Sequence, residues 1–172
     1  MSEARPHTFV VLVEDRPGVL DRVASLFRRR AYNIESLAVG HTDREGVSHI
    51  TVVMNADDRT ARLVEANLYK VLNVLEVRDV SNVPFLVRDL ALIKVRVDRE
   101  RRSEVMQVAE VFRARVVDVG PEALILEITG TEDKINRLVE VLQPFGILEM
   151  ARTGVVAMAR AVEEEKVLEG VS

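Results

Sequence analysis

The residues best suited to bind a small ligand form a turn after the first apolar segment. His7 to Glu14 (HTFVVLVE) is β-branched and apolar, which is typical of a strand buried on both faces, and Asp15-Arg16-Pro17-Gly18 interrupts it. An apolar stripe beginning at Val19 has helical spacing, so the turn leads into a helix. Pro17 presets φ for that entry, and Gly18 lacks a Cβ, so another group can approach the backbone closely. The first N–H groups of the helix lack partners within it and favour an anion, a carboxylate included.

A second polar residue, Asn33, precedes the next predicted strand, Ile34 to Gly40. Its amide can donate to a carboxylate and accept from an ammonium group. We expect this side chain to lie beside Gly18, where it would reach a charged ligand held at the helix start. The same turn is also ordinary punctuation between a strand and a helix, and the pattern alone leaves both interpretations open.

The residue types and their spacing give little support for a catalytic or metal-binding role. The chain has no cysteine, which excludes disulfides, thiolate metal sites and a cysteine nucleophile. A predicted hairpin places His41 and His49 on adjacent strands but on opposite faces, so they cannot share a metal, and we interpret them and His7 as surface or internally satisfied histidines. No Ser/His/Asp arrangement and no Gly-rich phosphate loop is present. We therefore predict no catalytic residue and no metal ligand.

The charge pattern predicts neither a nucleic-acid nor a membrane partner. The net charge is −4, and the run Arg28-Arg29-Arg30 falls in the last turn of the first predicted helix, where cations complement the helix dipole. The N-terminus is polar and without the pattern of a signal peptide, and the apolar runs are too short to span a bilayer. We expect a cytoplasmic protein.

Two successive halves follow the order β-α-β-β-α-β. The first half closes with a strand from Val74 to Val80, and after Pro84 the order repeats from Leu90. This order predicts an α+β protein of two ferredoxin-like βαββαβ domains, each an antiparallel sheet with two helices on one face. We place the domains at 1–80 and 88–162, with a linker at 81–87 and a frayed tail at 163–172. Strands apolar on both parities predict that another subunit covers the free sheet face, and hence an oligomer.

Four segments resemble one family. Glu14 to Leu20 (EDRPGVL) and Arg30 to Leu37 (RAYNIESL) resemble the ACT domain of acetohydroxyacid synthase (acetolactate synthase) small subunits. Glu110 to Val119 (EVFRARVVDV) and Ala151 to Ala157 (ARTGVVA) resemble the second domain of that family. The resemblance runs from about residue 7 to residue 160.

The resemblance implies a regulatory subunit of branched-chain amino acid biosynthesis that does no chemistry itself. The N-terminal ACT domain would form a homodimer and bind the end product, usually valine, at the ACT–ACT interface. The C-terminal domain would engage and activate the large catalytic subunit, which carries thiamine diphosphate, magnesium and FAD, so no cofactor is expected on this chain. The implied effector contacts are Asp15, Gly18, Val19, Leu20, Asn33 and Ile34.

Position 15 departs from the family pattern, because many members have Asn where this chain has Asp15. A carboxylate could pair with the ligand ammonium but would repel a nearby ligand carboxylate. Two alternatives are a stand-alone ACT-domain amino-acid sensor that regulates another enzyme or transcription, and a small enzyme with an unrecognised site. The sensor leaves the second half without a role, and the enzyme lacks a catalytic set of residues.

Overall fold

The computed structural model describes residues 3–161, which divide into two compact units. Among the described residues, the first unit comprises 3–86 together with 155–161, and the second comprises Val87–Gly154. Within residues 3–161, no helix is long and apolar enough to cross a membrane.

The first unit is an antiparallel sheet with two helices packed on one face. Its elements are β1 (Arg5–Glu14), α1 (Val19–Arg29), β2 (Ser36–His41), β3 (Val47–Ala56), α2 (Asp58–Leu68) and β4 (Val74–Asp79). The strands β1 and β3 pair antiparallel at the centre of the sheet, from Arg5 opposite Ala56 to Glu14 opposite Val47. The strand order is β2-β3-β1-β4, so β2 and β4 form the two edges.

The core of this unit follows from alternation along the central strands. Phe9, Val11 and Val13 of β1 are buried on the helix side, where they pack in one cluster with Val23 and Phe27 of α1. Burying a side chain of this size stabilises the fold by about 1.5–3 kcal/mol. The start of α2 follows from local chemistry as well, since the Asp57 carboxylate accepts a hydrogen bond from Thr60 N at 2.6 Å and so caps the helix.

The opposite face of this sheet is partly covered by the chain itself. A short strand, β9 (Val156–Ala159), belongs to the first unit although it lies near the C-terminus. Ala157 N donates to Thr51 Oγ1 of β3 at 3.4 Å, and both residues are buried. We expected another subunit to cover this face, and for this part of the sheet the chain's own strand β9 does so.

The second unit repeats the plan. Its elements are β5 (Phe85–Arg96), α3 (Arg102–Phe112), β6 (Arg115–Val119), β7 (Ala123–Gly130), α4 (Glu132–Leu142), a 3₁₀ turn (Gln143–Phe145) and β8 (Ile147–Arg152). These four strands follow the order β6-β7-β5-β8 in a five-stranded sheet, whose fifth strand, β9, pairs with β5. Ala91, Ile93 and Val95 of β5 are buried under the helices. The Thr131 side chain accepts a hydrogen bond from Lys134 N and caps α4.

The compact units differ from the predicted domain boundaries at two places. Residues 85–87 of the predicted linker form the beginning of β5, and its first two residues cluster with the first unit. The segment from Val155 was placed in the second domain, but it clusters with the first because its backbone and side chains pack on the first sheet. The predicted tail, 163–172, lies outside the described residues.

Candidate functional site

The turn between β1 and α1 has the geometry that its glycine allows. Gly18 is the N-cap of α1 at φ 83°, a left-handed conformation that costs energy for residues with a Cβ. Arg22 N donates to Gly18 O at 3.0 Å, which is the first bond of the helix. Among the described residues, no side chain caps this end. Val19 N donates to Arg16 O at 3.3 Å, so the N–H groups of Leu20 and Asp21 are left to carry the partial positive charge that favours an anion.

Asn73 holds this turn in place, and the sequence analysis missed it. Its Nδ2 donates to Glu14 Oε2 at 2.8 Å, and its Oδ1 accepts from Arg22 Nη2 at 2.9 Å. Its carbonyl oxygen also accepts from Glu14 N at 2.9 Å. Asn73 has φ 72°, which Asn tolerates better than most residues. The only signal in the sequence was an Asn before a predicted strand, which does not distinguish such a clamp from an ordinary turn.

Asp15 lies between this turn and the end of β2. Its N–H donates to Gly46 O at 2.8 Å, and its carboxylate lies 3.4 Å from His41 Nδ1. Both side chains are exposed. The carboxylate that departs from the family pattern is thus accompanied by an imidazole that neutralises it when protonated.

Val19 and Leu20 differ in which of their atoms a ligand could contact. Val19 is 2% exposed and belongs to the hydrophobic core, so only its backbone is available at the turn. Leu20 is 43% exposed and can contact an apolar ligand side chain. The structure thus restricts the predicted contact of Val19 to its main chain.

Asn33 and Ile34 lie just before the start of β2. The Asn33 side chain is exposed, and its Nδ2 donates to Glu35 Oε1 at 3.1 Å. Glu35 N in turn donates to Val53 O at 2.8 Å, which ties this segment to β3. Ile34 is half-buried against the core. An amide oxygen and a carboxylate are therefore presented together here, a combination suited to an ammonium group.

The structure separates the two groups of residues that we expected to find side by side. Asp15 contacts His41 at the end of β2, whereas Asn33 precedes the start of the same strand. A strand rises about 3.3 Å per residue, so the two ends of this six-residue strand lie about 17 Å apart. The eleven residues of α1 cover about the same length, because the helix runs back along the strands. Asn33 and Gly18 of one chain are therefore separated by about the length of α1, and a ligand contact that involves both residues stays a prediction.

The three histidines do not form a metal site. His7 is buried, with Nδ1 2.8 Å from Asp79 Oδ2. His49 pairs with Gly40, which places it on the face of the sheet opposite His41, as predicted. Burial lowers the pKa of His49, and a hydrogen bond to its backbone partly offsets this. Between residues 3 and 161, no group of three or more His, Asp or Glu side chains is arranged to hold a metal ion.

The segment resembling the family near residue 151 has a structural role in the second unit. Asp89 is 2% exposed, and its Oδ2 accepts from Arg152 Nε at 2.8 Å. Thr153 Oγ1 donates to Asp89 Oδ1 at 3.2 Å and accepts from Leu90 N at 3.1 Å. This buried charge is thus paired and hydrogen-bonded, as a buried carboxylate must be.

The fold and the open glycine turn define a protein of two ferredoxin-like units whose first unit is an ACT domain. Residues 9–76 match the family model described as the AHAS small subunit-like ACT domain, and residues 88–161 match the one described as the small subunit of acetolactate synthase. The acetolactate synthase small subunit of Mycolicibacterium smegmatis is 45% identical over 161 residues, which cover 93% of this chain and 95% of the relative. That of Aquifex aeolicus is 45% identical over 167 residues, covering 95% and 87%.

The crystal structure of the acetolactate synthase small subunit from Thermotoga maritima has a similar fold. It superposes with a TM-score of 0.86 at 39% identity, over 91% of this chain and 98% of that one. The chain therefore belongs to the acetolactate synthase small-subunit family.

Proposed function

We propose that this chain is the regulatory subunit of an acetolactate synthase. It binds the large catalytic subunit, raises its activity, and confers feedback inhibition by valine or a related branched-chain amino acid. Membership of the small-subunit family and the ACT domain support this role. The cofactors thiamine diphosphate, magnesium and FAD are assigned to the large subunit, and the complex is assigned to the cytoplasm. The second unit is assigned the contact with the large subunit.

The two ends of β2 carry complementary chemistry for a free amino acid. The helix start at Gly18 favours a carboxylate. At the other end, Asn33 and Glu35 favour an ammonium group, because both present oxygen acceptors. The apolar side chains of Leu20 and Ile34 lie next to these groups in the chain. A branched-chain amino acid needs all three kinds of contact, but no single chain brings the two ends together.

A second copy of the chain supplies the missing half. β2 is an edge strand, and Thr42 N donates to Val47 O, so that from Ala38 to Thr42 the even-numbered residues direct their backbone hydrogen bonds toward β3. By alternation, the N–H and C=O groups of Leu37 and Val39 face the open edge. Antiparallel pairing of two such edges brings the start of one β2 beside the end of the other. Asn33 of the partner subunit then approaches Gly18, and the two-fold symmetry creates two equal sites. The separation within one chain is the observation that carries this proposal.

Mixed dimers test it directly. Chains with Gly18→Asp and chains with Asn33→Ala should each bind valine poorly. After subunit exchange in a one-to-one mixture, half of the dimers are mixed, and each mixed dimer holds one intact site built from the unaltered Gly18 of one chain and Asn33 of the other. About a quarter of all sites should therefore recover wild-type affinity. Calorimetric titration with valine, leucine and isoleucine measures this fraction.

Each variant alone gives the baseline, and native mass spectrometry of differently tagged chains verifies the exchange. If exchange is complete and no sites recover, the ligand does not bind between the two chains. Co-purification from the native source tests the wider role, because a thiamine-dependent large subunit should accompany the chain. A stand-alone sensor would be isolated without that large subunit. The pure chain should form no acetolactate from pyruvate, and adding it to the large subunit should raise that subunit's activity.

A further inference from the structure

A C-terminal segment, Val155–Ala159, lies across the sheet face that the helices of the first unit leave open. We call these five residues the strap. Val155 N donates to Ser36 Oγ of β2 at 2.8 Å, and Ala157 N donates to Thr51 Oγ1 of β3 at 3.4 Å. Thr51 is 0% exposed and Ala157 is 1% exposed, so the contact is closed to water. The strap therefore joins the edge strand to its neighbour from above the sheet.

Ser36 connects the strap to the candidate ligand residues. It is the first residue of β2 and follows Asn33-Ile34-Glu35 directly in the chain. The segment has β3 on one side only, through the hydrogen bond from Glu35 N to Val53 O at 2.8 Å. A strand end with one neighbour opens more readily than a central one. The hydroxyl of Ser36 adds a second attachment, in a direction perpendicular to the sheet.

We propose that Ser36 and Thr51 are positioning residues for the effector site and that the strap holds the half-site at Asn33 in its binding conformation. This inference rests on the proposed function, because it concerns the same site. Holding a binding segment in place lowers the ordering cost of ligand binding and so raises affinity. The strap is also the direct continuation of the second unit, which ends at Gly154 with φ 82°. By thermodynamic reciprocity, whatever pulls on the strap changes effector affinity, and effector binding strengthens the hold of the strap.

The test uses the full chain with Ser36→Ala, the rescue variant Ser36→Thr, and Thr51→Val as a second change at the strap. Ser81→Ala is the matched control, because Ser81 Oγ also accepts a backbone N–H of the same unit, from Thr8 at 2.8 Å. Ser36→Ala should weaken valine binding about fivefold, equivalent to about 1 kcal/mol. Ser36→Thr should restore it, Thr51→Val should weaken it in the same direction, and Ser81→Ala should leave it unchanged. Melting temperatures are measured for all four variants.

Hydrogen exchange of the wild type gives an independent measurement. Saturating valine should slow amide exchange in residues 155–159. Wild-type affinity in Ser36→Ala, equal losses in Ser36→Ala and Ser81→Ala, or unchanged exchange of the strap on valine binding would each overturn the inference. Failure of the wild type to bind any branched-chain amino acid would instead overturn the proposed function, and the strap inference with it.

Discussion

The two units share one plan, but their first helices begin differently. In the first unit, the N-cap of α1 is Gly18 with positive φ, and none of the described side chains caps it. In the second unit, the N-cap of α3 is Arg101 in a right-handed conformation, and its N–H donates to Asp98 Oδ1 at 2.7 Å. The second unit thus places its own carboxylate at the helix start, whereas none of the described side chains takes that place in the first unit. The same fold therefore provides one helix start with a carboxylate of its own and one without.

The sheet faces opposite the helices differ as well. The first unit covers part of this face with the strap, which packs on buried Thr51. The second unit instead carries exposed ion pairs on this face, including one in which Lys94 Nζ lies 2.9 Å from Glu149 Oε2. The hydrogen bond and charge of Lys94 hold the pKa of Glu149 below its usual value. A charged, open face is suited to contact with another protein, whereas a strapped face is suited to holding a ligand segment.

The largest effect is expected for the buried ion pair of the second unit. Arg152→Ala leaves the Asp89 carboxylate uncompensated, and breaking such a pair costs about 3 kcal/mol or more of unfolding free energy. Lys94→Ala is the control, because an exposed pair screened by water should leave stability almost unchanged. Urea denaturation monitored by circular dichroism measures both. Equal stability of the two variants would show that the segment at Arg152 is not a structural anchor.

Gly18→Asp should reduce valine affinity by more than about a hundredfold. The added carboxylate repels the ligand's own, and the backbone must keep a left-handed φ that favours glycine. Arg101→Asp introduces the same carboxylate at the matching N-cap of the second unit, where it replaces a guanidinium, and should leave valine binding intact. Calorimetry on both variants measures the difference. Comparable losses would mean that the effect spreads through the whole chain and that the open turn has no special role.

Asn33→Ala should weaken valine binding about ten- to a hundredfold, because a hydrogen bond to a charged group contributes about 1.5–3 kcal/mol. The comparable position at the start of β6 is Arg115, whose guanidinium pairs with Glu127. Arg115→Ala should not change effector affinity. The measurement is acetolactate formation by the reconstituted complex against increasing valine, with activation at zero valine as the control. Inhibition of Asn33→Ala at wild-type valine concentrations would exclude this residue from the site.

The smallest effect concerns pH, and it belongs to the first unit, which contains all three histidines. Burial lowers the pKa of His49 in the folded state, so the unfolded chain binds a proton more readily. The unfolding free energy should therefore rise with pH as His49 loses its proton. This gain should be lost as pH falls below the pKa of histidine in the unfolded chain, about 6.5. His49→Gln should make the unfolding free energy less dependent on pH between about 5.5 and 8. An unchanged pH slope in the variant would assign the acid sensitivity to other groups.

The element order was predictable because it depends on local patterns. Apolar residues at helical spacing marked α1, and a run of β-branched and apolar residues marked β1. Asp57 and Thr131 are residue types preferred at helix starts, and the side chain of each accepts a bond from a backbone N–H of the following helix. The family and the fold were also identified correctly from the segments around Gly18 and Asn33.

Two features of the candidate site were not predicted for different reasons. The separation of Gly18 from Asn33 was derivable, because an eleven-residue helix carries the chain about 16 Å away from its start. The clamp by Asn73 was not derivable, because its partners, Glu14 and Arg22, lie more than 50 residues away in the chain. Contacts over such separations leave no periodic pattern that a local analysis can detect.

The sequence by itself determined the helices, the strands, the family, and the presence of one open glycine turn, since each depends on residues close together in the chain. Only the tertiary structure decided which residues share a site. It put Asp15 beside His41 at one end of β2 and Asn33 at the other. It also brought Val155 N within hydrogen-bond distance of Ser36 Oγ, which lies 119 residues earlier in the chain. The physical reason is that tertiary packing sets the direction in which each helix and strand runs. That direction decides which residues meet, and it cannot be read from residue types along the chain.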